Sequence, residues 1–287
     1  MLNERKSKRT VPVNSILKKI RIALAALCLA VFFLLFLLPG APDLFPGLEW
    51  LARVQAVPAV LSGSLVIVAV IMLLTLLFGR VYCSVVCPLG LLQDVLALAA
   101  LAVRFRFRPA ASRLRVVVAL LFIVAMAAGL PIFFSLVEPY SLFGRIVANI
   151  VAAGRAFWGM ASGSGAALPW TTGTIPAATA LALFAIIAVM AVKYGRLWCN
   201  TLCPVGTLLG CLSRFALFRV HIDDSACVGC GRCEKVCKAS CLDSKGHQAD
   251  ASRCVACFNC ISVCRHQAVT FAPFGKKFRL FYRSAGS

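Results

Sequence analysis

Four apolar runs mark the first two thirds of the chain, without a charged residue in their interiors beyond Arg21 at the head of the first: roughly Ile20 to Leu38, Ala59 to Phe78, Val116 to Phe134 and Ala177 to Val192. About 20 mainly apolar residues rising about 1.5 Å each cross the hydrocarbon core of a bilayer. The pattern therefore predicts four transmembrane helices. The first run is too long for the apolar region of a signal peptide and no A-x-A-like site follows it, so it is expected to be retained. Leu89 to Val103 is apolar but lies between cysteines and an arginine cluster, and is expected to form an interfacial helix. Ser141 to Met160 contains Arg145 and Arg155 and is expected as a surface or re-entrant helix outside. Ala161 to Ile175 is rich in Gly, Ser, Thr and Pro and reads as loop. After Arg219 the apolar runs stop and the chain becomes polar and dense in cysteine.

Composition agrees: 61% of residues are hydrophobic and 14% charged, against about 45–50% and about 25% in soluble domains. Lys and Arg number 30 against 10 Asp and Glu. All but Arg53, Arg145 and Arg155 fall before the first run, between the second and third, or after the fourth. Basic loops favour the cytoplasmic side. Both termini and the cysteine-dense region are thus expected in the cytoplasm, on a bacterial inner membrane. The net charge of +20 is explained by topology and by contact with anionic lipid headgroups, so nucleic acid is not called for.

The chain also repeats itself. Gly79-Arg80-Val81-Tyr82-Cys83 through Cys87-Pro88-Leu89-Gly90 matches Gly195-Arg196-Leu197-Trp198-Cys199 through Cys203-Pro204-Val205-Gly206. This predicts two parallel helix-pair units about a pseudo-twofold axis along the membrane normal, with Cys83, Cys87, Cys199 and Cys203 at one depth. A spacing of four places two sulfurs on one face of a helical turn. Three readings stay open: an additional metal or Fe–S centre between the repeats, a redox-active thiol pair, or buried cysteines that only pack.

Fifteen cysteines are present. Cys227-x2-Cys230-x2-Cys233-x3-Cys237 is followed by Cys254-x2-Cys257-x2-Cys260-x3-Cys264, the bacterial ferredoxin run for two [4Fe–4S] clusters. The fourth ligand of each cluster comes from the other run. One set is Cys227, Cys230, Cys233 and Cys264, and the other Cys254, Cys257, Cys260 and Cys237. Gly229 and Gly231 suit tight turns in the first run; Ala256 and Phe258 stand there in the second, which is expected to be less permissive. The usual proline after the fourth cysteine is Lys238 in one run and Arg265 in the other. Cys241 lies four residues past Cys237, where it could compete as a ligand, and Cys28, Cys211 and Cys241 have no assigned role.

The fold class expected is a polytopic α-helical membrane protein, four spans in two parallel repeats, with a C-terminal α+β twin [4Fe–4S] ferredoxin-like domain. The segments are a basic N-terminus (1–19), a membrane domain (20–218), the ferredoxin domain (219–275) and a basic tail (276–287). Spans, the doubled C-x3-C-P at Cys83, Cys87, Cys199 and Cys203, and the cluster runs together resemble the NapH/MauN-type quinol dehydrogenase membrane component, over roughly Ile20 to Phe274, and the membrane half of NosR-like proteins. The resemblance implies an electron-transfer subunit working between the quinone pool and a partner oxidoreductase. Glu138, Tyr140 and His221 are candidates near a quinone. The alternative is a membrane assembly factor that reduces a metal ion for a partner metalloenzyme.

Overall fold

The computed structural model describes residues 13–37, 53–99, 112–129, 138–162 and 174–273. Helix α1 (Val13–Leu37) has 25 residues. Among the described residues it holds the one stretch, Ile16–Phe36, that is long and apolar enough to cross a membrane by length and composition. The second predicted span is divided into α2 (Ala56–Leu61) and α3 (Leu65–Phe78). Gly63 between them takes φ +68°, a left-handed conformation that glycine adopts without strain. Helix α2 therefore folds back along α3, and α3 keeps 14 residues, about 21 Å against a hydrocarbon core of about 30 Å.

The remaining helical expectations fare differently. Helix α4 (Tyr82–Val85) is one turn. Helix α5 (Pro88–Ala99) stands where the interfacial helix was expected; the expected end at Val103 lies outside the described residues. Helix α6 (Ser112–Ala127) has 16 residues, and the third run's end, from 130, lies outside the described residues too. Helix α7 (Pro139–Ser162) contains the expected Ser141–Met160 helix. Helix α8 (Thr174–Tyr194) covers the whole fourth run. It leads into α9 (Leu197–Thr201) and α10 (Pro204–Ser213). Most of the expected 161–175 loop, and both terminal segments, lie outside the described residues.

The sequence repeat is a structural repeat, α3–α4–α5 and α8–α9–α10, and its halves are crossed. Helix α5 packs on α8, and α10 packs on α3 and α6. Helix α1 lies across α4, α5 and α7. Its contact with α7 is aromatic: Phe143 is fully buried and meets Phe33 and Phe32 edge-on at 5.7 and 6.2 Å between ring centroids, a favoured arrangement for rings.

The cysteine-dense region is small and mixed. Strand β1 (Phe218–Ile222) pairs antiparallel with β4 (Val269–Pro273), Val220 opposite Phe271. Between them lie α11 (Arg232–Lys235), the hairpin β2 (Leu242–Asp243) and β3 (Gln248–Ala249), and α12 (Asn259–Val263). This region is docked rather than tethered. Its core is continuous with that of the helices. Phe78 at the end of α3 stacks on Phe218, which stacks on Phe271, which meets Phe258 edge-on at 5.1 Å. Leu217 N–H donates to the Leu76 carbonyl at 2.8 Å.

Truncating the aromatic hub between α1 and α7 leaves a cavity that rigid helices fill poorly. Phe143→Ala is expected to lower stability by about 3–5 kcal/mol, read as a fall in the thermal unfolding midpoint of the purified full chain.

Candidate functional site

Each matched residue of the repeat has a structural task, and the tasks are reciprocal. Gly79 and Gly195 end α3 and α8 with φ +75° and +66°. The arginines that follow cross over. Arg80 donates through Nη2 to the Cys199 carbonyl at 3.0 Å, while Arg196 Nη1 donates to the Cys83 carbonyl. Pro88 and Pro204 open α5 and α10, where a missing N–H costs nothing. Cys203 caps α10 by accepting from Gly206 N–H at 3.3 Å, and Gly90 N–H bonds Cys87 in the same way. A Cβ on Gly90 would overlap the Cys83 carbonyl, and one on Gly206 the Cys199 carbonyl and Arg80. Tyr82 and Trp198, the matched aromatics, are buried.

This crossing brings Cys83, Cys87, Cys199 and Cys203 together. All four are buried. Burial pushes the thiols of Cys87, Cys199 and Cys203 up, and Cys87 and Cys203 are pushed further by the neighbouring cysteines. Thiols kept protonated by burial release their protons when a metal binds. The surrounding polar groups suit such an occupant. Gln93 Nε2 donates to Cys199 Sγ at 3.3 Å. Arg80, fully buried, donates to the Asn200 side-chain oxygen at 2.7 Å and to the Ser252 and Cys199 carbonyls, all uncharged. Among the described residues no carboxylate pairs with it. A buried cation without a counter-charge is costly, and the thiolates and sulfides of an iron–sulfur group supply negative charge. Among the described residues no three Cys, His, Asp or Glu converge tightly enough to hold a single metal ion; in a cubane each thiolate binds its own iron, so the donors spread over a wider frame.

A second gathering of thiols lies beside the first. One cavity is lined by Cys237, Cys241, Cys254, Cys257 and Cys260, walled by Val220, Leu242, Val255 and Phe258. Four of these five are the set read from the spacing; Cys241 is the fifth. The other set is gathered too, with Cys233 within electrostatic reach of Cys227, Cys264 and Cys230, and it stands close by, since Cys233 also reaches Cys260. Cys230 is exposed, whereas Cys257 and Cys260 are buried. The second loop was expected to be less permissive than the first. It makes the same turns: Gly229 and Gly231 take φ +66° and +69°, Ala256 and Phe258 +49° and +60°. The left-handed cost of about 1–2 kcal/mol per residue falls where Phe258 is held against Phe271.

The sequence reading passed over the group that joins these parts. Asp94, buried on α5, accepts from Arg196 Nε at 2.9 Å and from Arg21 of α1, and pairs with Lys238 Nζ at 3.3 Å. Burial alone would raise its carboxyl; Arg196, Lys238 and Arg21 together outweigh that and hold it well below the usual carboxylate range. Arg196 N–H also donates to the Lys238 carbonyl at 2.8 Å. Lys238 is the residue that replaces the usual proline after Cys237, and the reason is now visible: it anchors the cluster loop to the helices. The available signal was a lone acidic residue in an otherwise apolar helix.

The quinone candidates fall at the start of α7 and on β1. Glu138 caps α7, accepting from Tyr140 N–H at 3.0 Å and from Ser141 N–H, but it is buried rather than solvated. Tyr140 joins the aromatic hub with Phe32 and Phe36. His221 stands on β1 opposite Thr270. Glu138 lies near enough to Tyr82 to add to the effect of burial and of Cys87 in raising that phenol. Tyr82 also donates to Gln55 and accepts from Ala56 N–H, both at 2.9 Å. The fold-back of α2 along α3 explains this: it carries Gln55 and Ala56 to Tyr82, whose hydroxyl accepts the Ala56 N–H. Of the unassigned cysteines, Cys28 packs beside the aromatic hub and Cys211 is exposed on α10.

The comparisons with known proteins meet this geometry at the repeat. A domain described as 4Fe-4S binding matches twice, over residues 62–108 and 176–223, and the two matches enclose Cys83 with Cys87 and Cys199 with Cys203. The methylamine utilization ferredoxin-type protein MauN of Paracoccus denitrificans is 32% identical over 161 residues, 55% of this chain and 48% of that protein. The chain is a relative of the NapH/MauN-type ferredoxin proteins. MauN of Methylobacillus flagellatus is 28% identical over the same shares, and the putative electron transport protein YccM of Escherichia coli 25% over 63% of this chain and 47% of its own length. The chain thus spans about half the length of these relatives. No solved structure matches. The doubled match supports iron–sulfur binding by this chain.

Two substitutions test the architecture of the site. Asp94→Asn removes the charge that three buried cations share, and is expected to cost about 3–5 kcal/mol, read by thermal unfolding, while Asp224→Asn on the surface is neutral. Gly206→Ala forces α10 away from the Cys199 carbonyl and is expected to cost about 1–3 kcal/mol; an unchanged unfolding midpoint would refute the close approach.

Proposed function

We propose that this chain is a membrane-bound iron–sulfur protein that passes electrons between the quinone pool and a partner oxidoreductase. Two [4Fe–4S] clusters are assigned to Cys227, Cys230, Cys233 with Cys264, and to Cys254, Cys257, Cys260 with Cys237. A further Fe–S centre is assigned to Cys83, Cys87, Cys199 and Cys203. When bound, such groups supply single-electron transfer at potentials tuned by charge and by hydrogen bonds to sulfur.

The observation that carries this reading is the crossed repeat. Arg80 and Arg196 hold two pairs of buried thiols against one another, and the same arginines hold the cysteine-rich lobe, Arg80 through Ser252 and Arg196 through Lys238. The doubled 4Fe-4S binding match on those thiols favours a centre there over a thiol pair or simple packing. Exposure supports the four-span architecture where helix length alone does not. Leu65, Val66 and Leu73 on α3, Leu120, Leu121 and Val124 on α6, and Leu181, Ile186 and Val189 on α8 are all exposed. Apolar surface on that scale is what a lipid phase covers. The cysteine-rich lobe would then face the cytoplasm with the exposed Cys230 edge toward a partner.

Anaerobically purified protein is expected to carry more than the about eight irons of two ferredoxin clusters, the excess being lost in Cys83→Ser and Cys199→Ser. A menaquinol analogue is expected to produce the EPR signal of the reduced clusters, or oxidation of pre-reduced clusters to yield quinol. Clusters that cycle with a soluble donor but never exchange with quinol would overturn the quinone-linked reading in favour of a metal-reducing assembly factor.

A further inference from the structure

We infer that the second cluster pocket is a five-thiol site in which Cys237 and Cys241 are interchangeable ligands to one iron. The inference rests on the assignment of a [4Fe–4S] cluster to Cys254, Cys257, Cys260 and Cys237. It adds a ligand that the ferredoxin spacing does not call for.

The argument is geometric. Cys241 is 2% exposed and lines the same cavity as the four assigned cysteines. Its sulfur stands 3.5 Å from that of Cys237, and its backbone N–H is 3.5 Å from the same sulfur. Its thiol also hydrogen-bonds with Cys254. A cysteine that served only as filler would present its sulfur to carbon; this one is in contact with two assigned ligands. Its backbone is also held from the hairpin side, since Asp250 N–H donates to its carbonyl at 2.9 Å and Leu242 pairs with Ala249 across the hairpin.

The exchange balances without an oxidant or reductant. The Fe–S bond to Cys237 breaks as the bond to Cys241 forms, and the proton of the Cys241 thiol passes to the departing Cys237 sulfur. Whichever thiol is free donates S–H to the coordinated sulfur. The two positions differ in what they attach to. Cys237 precedes Lys238, which is bound to Asp94 and Arg196 of the helices, whereas Cys241 opens the β2–β3 hairpin. The choice of ligand therefore sets whether that iron is tied to the helical layer.

The test uses the full chain, purified anaerobically, as the parent, Cys237→Ala, Cys241→Ala, the double variant, and Cys264→Ala at the other set, which has no spare thiol. Iron per chain and the EPR spectrum of the reduced protein are measured. Both single variants at the pocket are expected to keep the parent's iron content and a [4Fe–4S] signal. The double variant, and Cys264→Ala alone, are each expected to lose about four irons or to show a three-iron signal. Cys237→Ala behaving like the double variant overturns the inference, as does loss of the cluster in Cys241→Ala with retention in Cys237→Ala. A parent without any [4Fe–4S] signal removes the underlying assignment instead. The midpoint potential of the second cluster provides a readout that does not need a ligand to be deleted. In Cys241→Ala it is expected to fall, because a donor to the coordinated sulfur is lost; an unchanged potential overturns the thiol contact.

Discussion

Two buried arginines hold this molecule together, and each does so from the opposite half. Arg80 and Arg196 leave their own helices at a glycine turn and bind the carbonyl of the first cysteine in the other repeat. A guanidinium presents several donors in a rigid fork, so one side chain can serve several acceptors at once. Arg80 serves Cys199, Asn200 and Ser252; Arg196 serves Cys83 and Asp94. Neither would be tolerated at such depth without a compensating negative charge. For Arg196 the compensation is Asp94. For Arg80 the candidate is whatever the thiols hold. Stability and chemistry thus make the same demand on these residues.

Asp94 extends this arrangement into a joint between three elements that are far apart in sequence: α1 through Arg21, the repeats through Arg196, and the cysteine-rich lobe through Lys238. Buried ion pairs contribute little net stability over apolar replacements, but breaking them on one side is costly. Their value here is geometric. They set the orientation of the cluster loop on the helices, a relation that the aromatic contact Phe78–Phe218–Phe271 guides but does not specify, because stacked rings tolerate sliding. The same loop carries Cys237 and Cys241, so the helical layer holds the chain at the residue next to a cluster ligand.

Much of the site was legible in the sequence. The two ferredoxin runs, the doubled C-x3-C-P and the turn positions at Gly229 and Gly231 are local patterns, and local spacing survives folding. Helix positions were also legible for α1, α5, α7 and α8, since apolar periodicity reports them. What misled was helix length. The run from Ala59 to Phe78 is apolar on average despite Ser62-Gly63-Ser64 near its start, and mean hydropathy does not register that Gly63 reverses the chain. Ala256 and Phe258 misled in the opposite sense: residue type disfavours the left-handed turn, and packing against Phe271 supports it anyway.

Sequence by itself determined which residues carry the chemistry, because cluster ligation needs thiolates at short, fixed separations along the chain. It also determined that the chain is repeated, because the repeat is written in matching letters. Only the tertiary structure decided how the halves meet: crossed, with α5 on α8 and α10 on α3. It alone placed Asp94 among three cations, Cys241 among the ligands, and Tyr82 beside Gln55 and near Glu138. The physical reason is that these are relations between residues tens to hundreds of positions apart. Their energy comes from burial and charge pairing in a shared interior, and no local pattern along the chain records that interior.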